Sequence, residues 1–114
     1  MYFIVNEGMR DNRYRPSANI AFFASMQALT RDTEPQDFQF GDLHITDSEG
    51  FEYDVEYIAN PNSVKISRNR KAYPFVEDMV RGAFAKEKLS FIDGASITEN
   101  IENLVRDGKL LVSE

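Results

Sequence analysis

Phe51-Glu52-Tyr53-Asp54-Val55-Glu56-Tyr57-Ile58 alternates strictly for seven residues, with Phe51, Tyr53, Val55 and Tyr57 on one side and Glu52, Asp54 and Glu56 on the other. Period-two alternation of aromatic and β-branched residues with carboxylates is the pattern of a strand with one buried and one solvated face. Turn-forming residues bound it on both sides. Asp47-Ser48-Glu49-Gly50 precedes it, and Asn60-Pro61-Asn62-Ser63 follows and leads into Val64 and Ile66, which point inward, with Lys65 and Ser67 outward. Upstream, Phe38, Phe40, Leu43 and Ile45 alternate imperfectly, and the break at Gly41 predicts a bulge there. Three strands joined by short turns make an antiparallel meander, closed by the basic run Arg68-Asn69-Arg70-Lys71.

Outward from the meander the pattern becomes helical. Pro74 suits a first helical turn, and Val76, Met79, Val80, Ala83 and Phe84 form one apolar stripe, with Glu77 and Asp78 at the start and Lys86 and Lys88 at the end. Ser96-Ile97-Thr98-Glu99 is a capping-box sequence opening a further helix that buries Ile97, Ile101, Leu104 and Val105 and stops at Gly108. Residues 109–112 read as a last short strand, pairing with the first. That first strand is the apolar start, Tyr2 to Val5. From Ala18 to Leu29 the chain carries no charge, and Ile20, Phe22, Phe23, Met26 and Leu29 spread around a helical wheel, so a helix over 18–29 capped by Ser17 is expected. A helix so uniformly apolar needs cover on most sides, either as a central core helix or as a homo-oligomer interface.

These elements define the expected fold class as α+β: an antiparallel β-meander with about three helices packed on one face, in a single globular domain over residues 1–114. The sequence has 114 residues, 42% of them hydrophobic, enough for one modest core.

Composition excludes several chemistries. The chain has no cysteine, which rules out disulfides, thiolate zinc ligands, iron–sulfur clusters and a cysteine nucleophile, and fits a reducing, cytoplasmic setting. The start is too short an apolar run for a signal peptide or spanning helix, so no membrane association is expected. The six glycines are dispersed and form no phosphate-binding loop. His44 is the sole histidine; no second histidine or thiolate completes a metal site with it, and no Gly-x-Ser-x-Gly sequence accompanies it. No catalytic residue, metal or cofactor is assigned.

Charge is the remaining signal. The formal net charge is −6, and between residues 31 and 56 Asp32, Glu34, Asp37, Asp42, Asp47, Glu49, Glu52, Asp54 and Glu56 face the single cation Arg31. Such segregation points to a binding surface. The leading expectation is a small non-enzymatic interaction module, a regulator, inhibitor or adaptor, that binds a basic protein surface through Glu52, Asp54 and Glu56 on the strand and Asp47 and Glu49 in the turn before it. The alternative is a phosphate- or single-stranded nucleic-acid-binding module. It would use two arginine-rich loops, Arg10, Arg13, Tyr14 and Arg15 in the first and Arg68, Arg70 and Lys71 in the second, in which guanidinium forks grip phosphate and an aromatic ring stacks on a base. The negative net charge opposes nucleic acid binding overall. The two C-terminal helices and residues 109–112 have the outline of a helix-turn-helix with a wing, but Glu99, Glu102 and Asp107 outnumber Arg106, so DNA reading is not expected.

Overall fold

A computed structural model describes residues 1–7, 19–41 and 43–114 of the chain. Its frame is a five-stranded, wholly antiparallel sheet of β1 (Phe3–Glu7), β2 (Asn19–Phe23), β3 (Leu43–Asp47), β4 (Phe51–Ile58) and β5 (Ser63–Ala72), in the spatial order β2-β1-β3-β4-β5. Among the described residues, three helices, α1 (Met26–Asp32), α2 (Val76–Lys86) and α3 (Ile97–Arg106), and a 3₁₀ helix (Pro35–Phe38) complete an α+β fold.

β1 alternates between two cores. Ile4 pairs with Phe22 and Thr46, and this side of the sheet joins Val76, Met79, Val80 and Phe84 of α2 and Ile101 of α3. Val5 pairs with Ile45, and the opposite side joins Phe23, Ala28 and Leu29 of α1 and Phe38 of the 3₁₀ helix. The helices therefore divide between the two faces instead of packing on one. In β2 the exposed positions are Asn19 and the small, apolar Ala21, so no charge marks the strand period, and this explains the segment expected as a helix over 18–29. Asn19–Phe23 is strand, with Ile20 and Phe22 serving one core and Phe23 the other, and the helix begins only at Met26, after Ser25 caps it by accepting from the Ala28 N–H at 3.0 Å. Ser17 and Ala18 lie outside the described residues. The homo-oligomer interface expected of that helix loses its basis, because Phe22, Phe23 and Leu29 are all buried within the chain.

Three other local expectations are corrected. Gly41, with φ 71°, turns the chain between the 3₁₀ helix and β3, whereas the sheet's irregularity lies in the β4–β5 ladder between Tyr53 and Val55. Arg68 to Lys71 continue β5 instead of closing the meander. Residues 109–112 form no strand; Ser113 alone bridges to Phe23, in parallel, donating its N–H to Phe22 O at 3.0 Å and accepting from Ala24 N–H at 2.8 Å.

The two C-terminal helices follow the sequence closely. Ser96 accepts from the Glu99 N–H at 3.0 Å as the N-cap of α3, and Gly108 with φ 69° ends it. Asn100 is buried and fixes the connection ahead of its own helix, accepting from Ile92 N–H at 2.7 Å and donating to Ile92 O and Ser96 O at 3.2 and 2.9 Å. Thr98 at the start of α3 meets Ser48 hydroxyl to hydroxyl at 2.7 Å, tying the helix to the β3–β4 turn. Among the described residues no helix is long and apolar enough to cross a membrane.

Candidate functional site

The β4–β5 hairpin carries most of the residues singled out by charge. It forms because the alternation of β4 gives one apolar side, and Tyr53, Val55, Val64 and Ile66 use that side to pack toward Phe38 and Ile45. β3 pairs with β4 only at Ile45–Tyr53 and Thr46–Glu52, while β4 pairs with β5 from Phe51–Ala72 to Ile58–Ser63. The hairpin thus runs on past β3. Its inner face is covered by the 3₁₀ helix, and Asn62 at its tip donates to the Gln36 side chain at 2.9 Å.

At the base of the hairpin sits a buried carboxylate. Asp47 is 0% exposed, and one of its oxygens accepts from the Glu49 and Phe51 N–H groups at 2.9 and 3.2 Å. The other accepts from the Tyr53 hydroxyl at 2.7 Å and Arg70 Nη1 at 2.9 Å. Burial, reinforced by the Asp47 carboxylate, pushes the Tyr53 phenol up to about 12. Arg70 also reaches Glu49 at 3.3 Å and lies 4.1 Å above the Phe51 ring. This is a structural lock that closes the turn and pins β5 to it.

The opposite face of the hairpin is the charged one. Glu52 accepts a contact from His44 Nε2 at 3.2 Å, both side chains being largely buried, with the Tyr73 ring edge-on to the imidazole at 4.8 Å. Burial holds the His44 imidazole below its ordinary value, against the pull of the Glu52 carboxylate. Further along, Asp54 and Lys71 are 3.7 Å apart and 71% and 72% exposed, and Glu56 stands opposite Lys65 in the ladder. Carboxylates along β4 and cations along β5 form a two-row ladder with a shallow trough at the bulge, bordered by Asp54, Glu56, Lys65 and Arg68.

The five carboxylates expected to bind a partner are therefore not one acidic surface. Glu52, Asp54 and Glu56 share a face as the alternation predicts, but only Asp54 and Glu56 are exposed on it; Asp47 is inside the protein, and Glu49 joins Arg70 on the other side. Of the second arginine group, Arg70 is engaged by Asp47 and Glu49 and Lys71 by Asp54, while Arg68 is exposed. Arg10, Arg13, Tyr14 and Arg15 lie outside the described residues. The ends of their segment are Glu7 and Asn19 on β1 and β2, with β3 and β4 intervening before β5.

Sequence reasoning missed Arg70 as the partner of Asp47. No local pattern marks it, because the pairing follows from the ladder register of the folded sheet: Tyr53 opposes Arg70, so both reach Asp47 from one face.

No group of three or more acidic or histidine residues suited to a metal is present among the described residues. The cavity beside His44 and Glu52 measures about 160 Å³, below the range of small-molecule sites. Compared with known proteins, the chain matches no family model, no curated protein and no solved structure.

Proposed function

We propose that this chain is a non-enzymatic protein-interaction module, acting as a regulator, inhibitor or adaptor, and that its binding surface is the β4–β5 hairpin. The observation that carries the reading is the exposure of Asp54, Glu56, Lys65 and Lys71 on a sheet face whose other side holds the half-buried Tyr53, Val55, Val64 and Ile66. A fixed ladder of both signs on a rigid hairpin steers and orients a partner more than it adds raw affinity. The fitting surface carries basic residues over β4 and acidic ones over β5.

A photo-crosslinking residue placed at Glu56, with one at the exposed Glu102 of α3 as control, tests the reading in extract of the source cells. A discrete adduct is expected from position 56 alone, and it should vanish when Asp54, Lys65 and Lys71 are also made neutral. Adducts that survive neutralisation, or that form equally from position 102, would move the binding surface elsewhere.

A further inference from the structure

The two edges of the sheet are treated differently. On β2 the tail closes part of the edge, with Ser113 bonded to Phe22 O and to Ala24 N–H. On β5 no strand or tail pairs with the outer side among the described residues, because β5 is last in the order and its ladder partner is β4. A terminal strand presents a row of outward backbone N–H and C=O groups, which is a template for an added strand.

Its side chains say which strand. Ser63–Ala72 holds Lys65, Arg68, Arg70 and Lys71 and no carboxylate. A second copy of β5 laid antiparallel on the first would set cation rows beside each other, which is unfavourable for directly opposed like charges. An acidic strand meets the opposite condition at Lys65, Arg68 and Lys71, Arg70 being already engaged by Asp47 and Glu49. The register shift near Ser67 and Asn69, where Asn69 N–H is already bonded to Ser67 Oγ at 3.1 Å, divides the edge into two short stretches and disfavours long, indiscriminate pairing.

We infer that β5 is a docking edge for an extended acidic segment of a partner protein, added as a sixth strand. This rests on the hairpin being the interaction surface and assigns it a partner chemistry. Backbone hydrogen bonds supply the affinity, and the cation row rejects self-association and basic strands.

The test uses an alternating glutamate–valine peptide the length of β5, the same peptide N-methylated at alternate amides, and a lysine–valine counterpart. Binding is read by fluorescence anisotropy, and slowed amide exchange locates it on the full-length chain. The glutamate peptide should bind at least about tenfold more tightly than either control, weaken with added salt, and protect amides in Ser63–Ala72 but not in β2. Arg68→Glu, a change at an exposed position, should weaken it several-fold while leaving the circular dichroism unchanged. Equal binding of the N-methylated peptide with the hairpin still protected would overturn edge pairing but leave the hairpin as the interaction surface. Protection on β2, preference for the lysine peptide, or no binding at low salt would overturn the inference, and in the last case the crosslinking from position 56 decides separately whether the hairpin reading survives.

Discussion

Asp47 and Arg70, 23 positions apart, meet at 2.9 Å with the carboxylate wholly buried and the guanidinium about a third exposed. Asp47 also holds three other donors, so its removal strands more than an ion pair. Asp47→Ala should cost about 3 kcal/mol, because the Tyr53 hydroxyl and two backbone N–H groups lose their acceptor. Arg70→Ala should cost less, since Asp47 keeps the other three. Urea unfolding of both variants checks the order, and a larger loss for Arg70→Ala would contradict this account of the lock.

Tyr53 should titrate late. Its folded value of about 12 lies above the ordinary 10, so the protonated phenol is favoured by folding. The associated stability is present below pH 10 and is lost as pH rises from there through about 12. Phenolate absorbance should show a late component that shrinks in Tyr53→Phe, Tyr2 and Tyr73 also being raised by burial; an unchanged titration in that variant would refute the assignment.

His44 supplies the acid-side counterpart. Its folded value is depressed by burial beneath 6.5, so the neutral imidazole is favoured in the folded protein. Stability from this group is full above pH 6.5 and declines as pH falls through the lower folded value. Because it is the sole histidine and carboxylates titrate lower, the fall in urea midpoint just below pH 6.5 should be absent from His44→Gln. A parallel fall in wild type and variant would rule His44 out.

Phe23 tests the reassigned segment. It is 5% exposed and packs with Leu29 and Phe38 in the core beneath α1. Phe23→Asp should unfold the domain at ordinary temperature, seen as loss of circular dichroism, by burying an unpaired charge. A folded variant with altered self-association would instead restore an interface role for this stretch.

Asn100 organises the link between α2 and α3. Asn100→Ala leaves the Ile92 N–H and nearby carbonyls without their side-chain partner, and a loss of about 2 kcal/mol is expected. Hydrogen exchange should accelerate first at residues 91–96 and in α3, and unaltered exchange there would exclude this role.

The elements legible beforehand share one property: one side faces solvent. In β4, Glu52, Asp54 and Glu56 break the apolar run at every second residue, and in α2 and α3 the charges fall opposite the stripes of Met79 and Ile101, so the period is visible. In β2 the exposed positions are Asn19 and Ala21, neither of them charged, so nothing marks its period. Ile20, Phe22 and Phe23 are apolar because two cores flank the strand, and a run without contrast reads equally well as helix or strand.

The site divides in the same way. Which carboxylates share a strand face follows from alternation, a local property of the backbone, and the sequence alone places Glu52, Asp54 and Glu56 together. Which cation each one meets depends on ladder register, and register is fixed by packing between strands distant in the chain. Hence Asp47 with Arg70, Asp54 with Lys71 and His44 with Glu52 are tertiary facts. So is the contrast between the two sheet edges, since only the folded chain brings Ser113 to β2 and leaves β5 outermost. Local periodicity determined the elements and their faces; long-range register decided which charges are spent inside the protein and which remain exposed, because pairing energy is gained only when strands far apart in sequence come into contact.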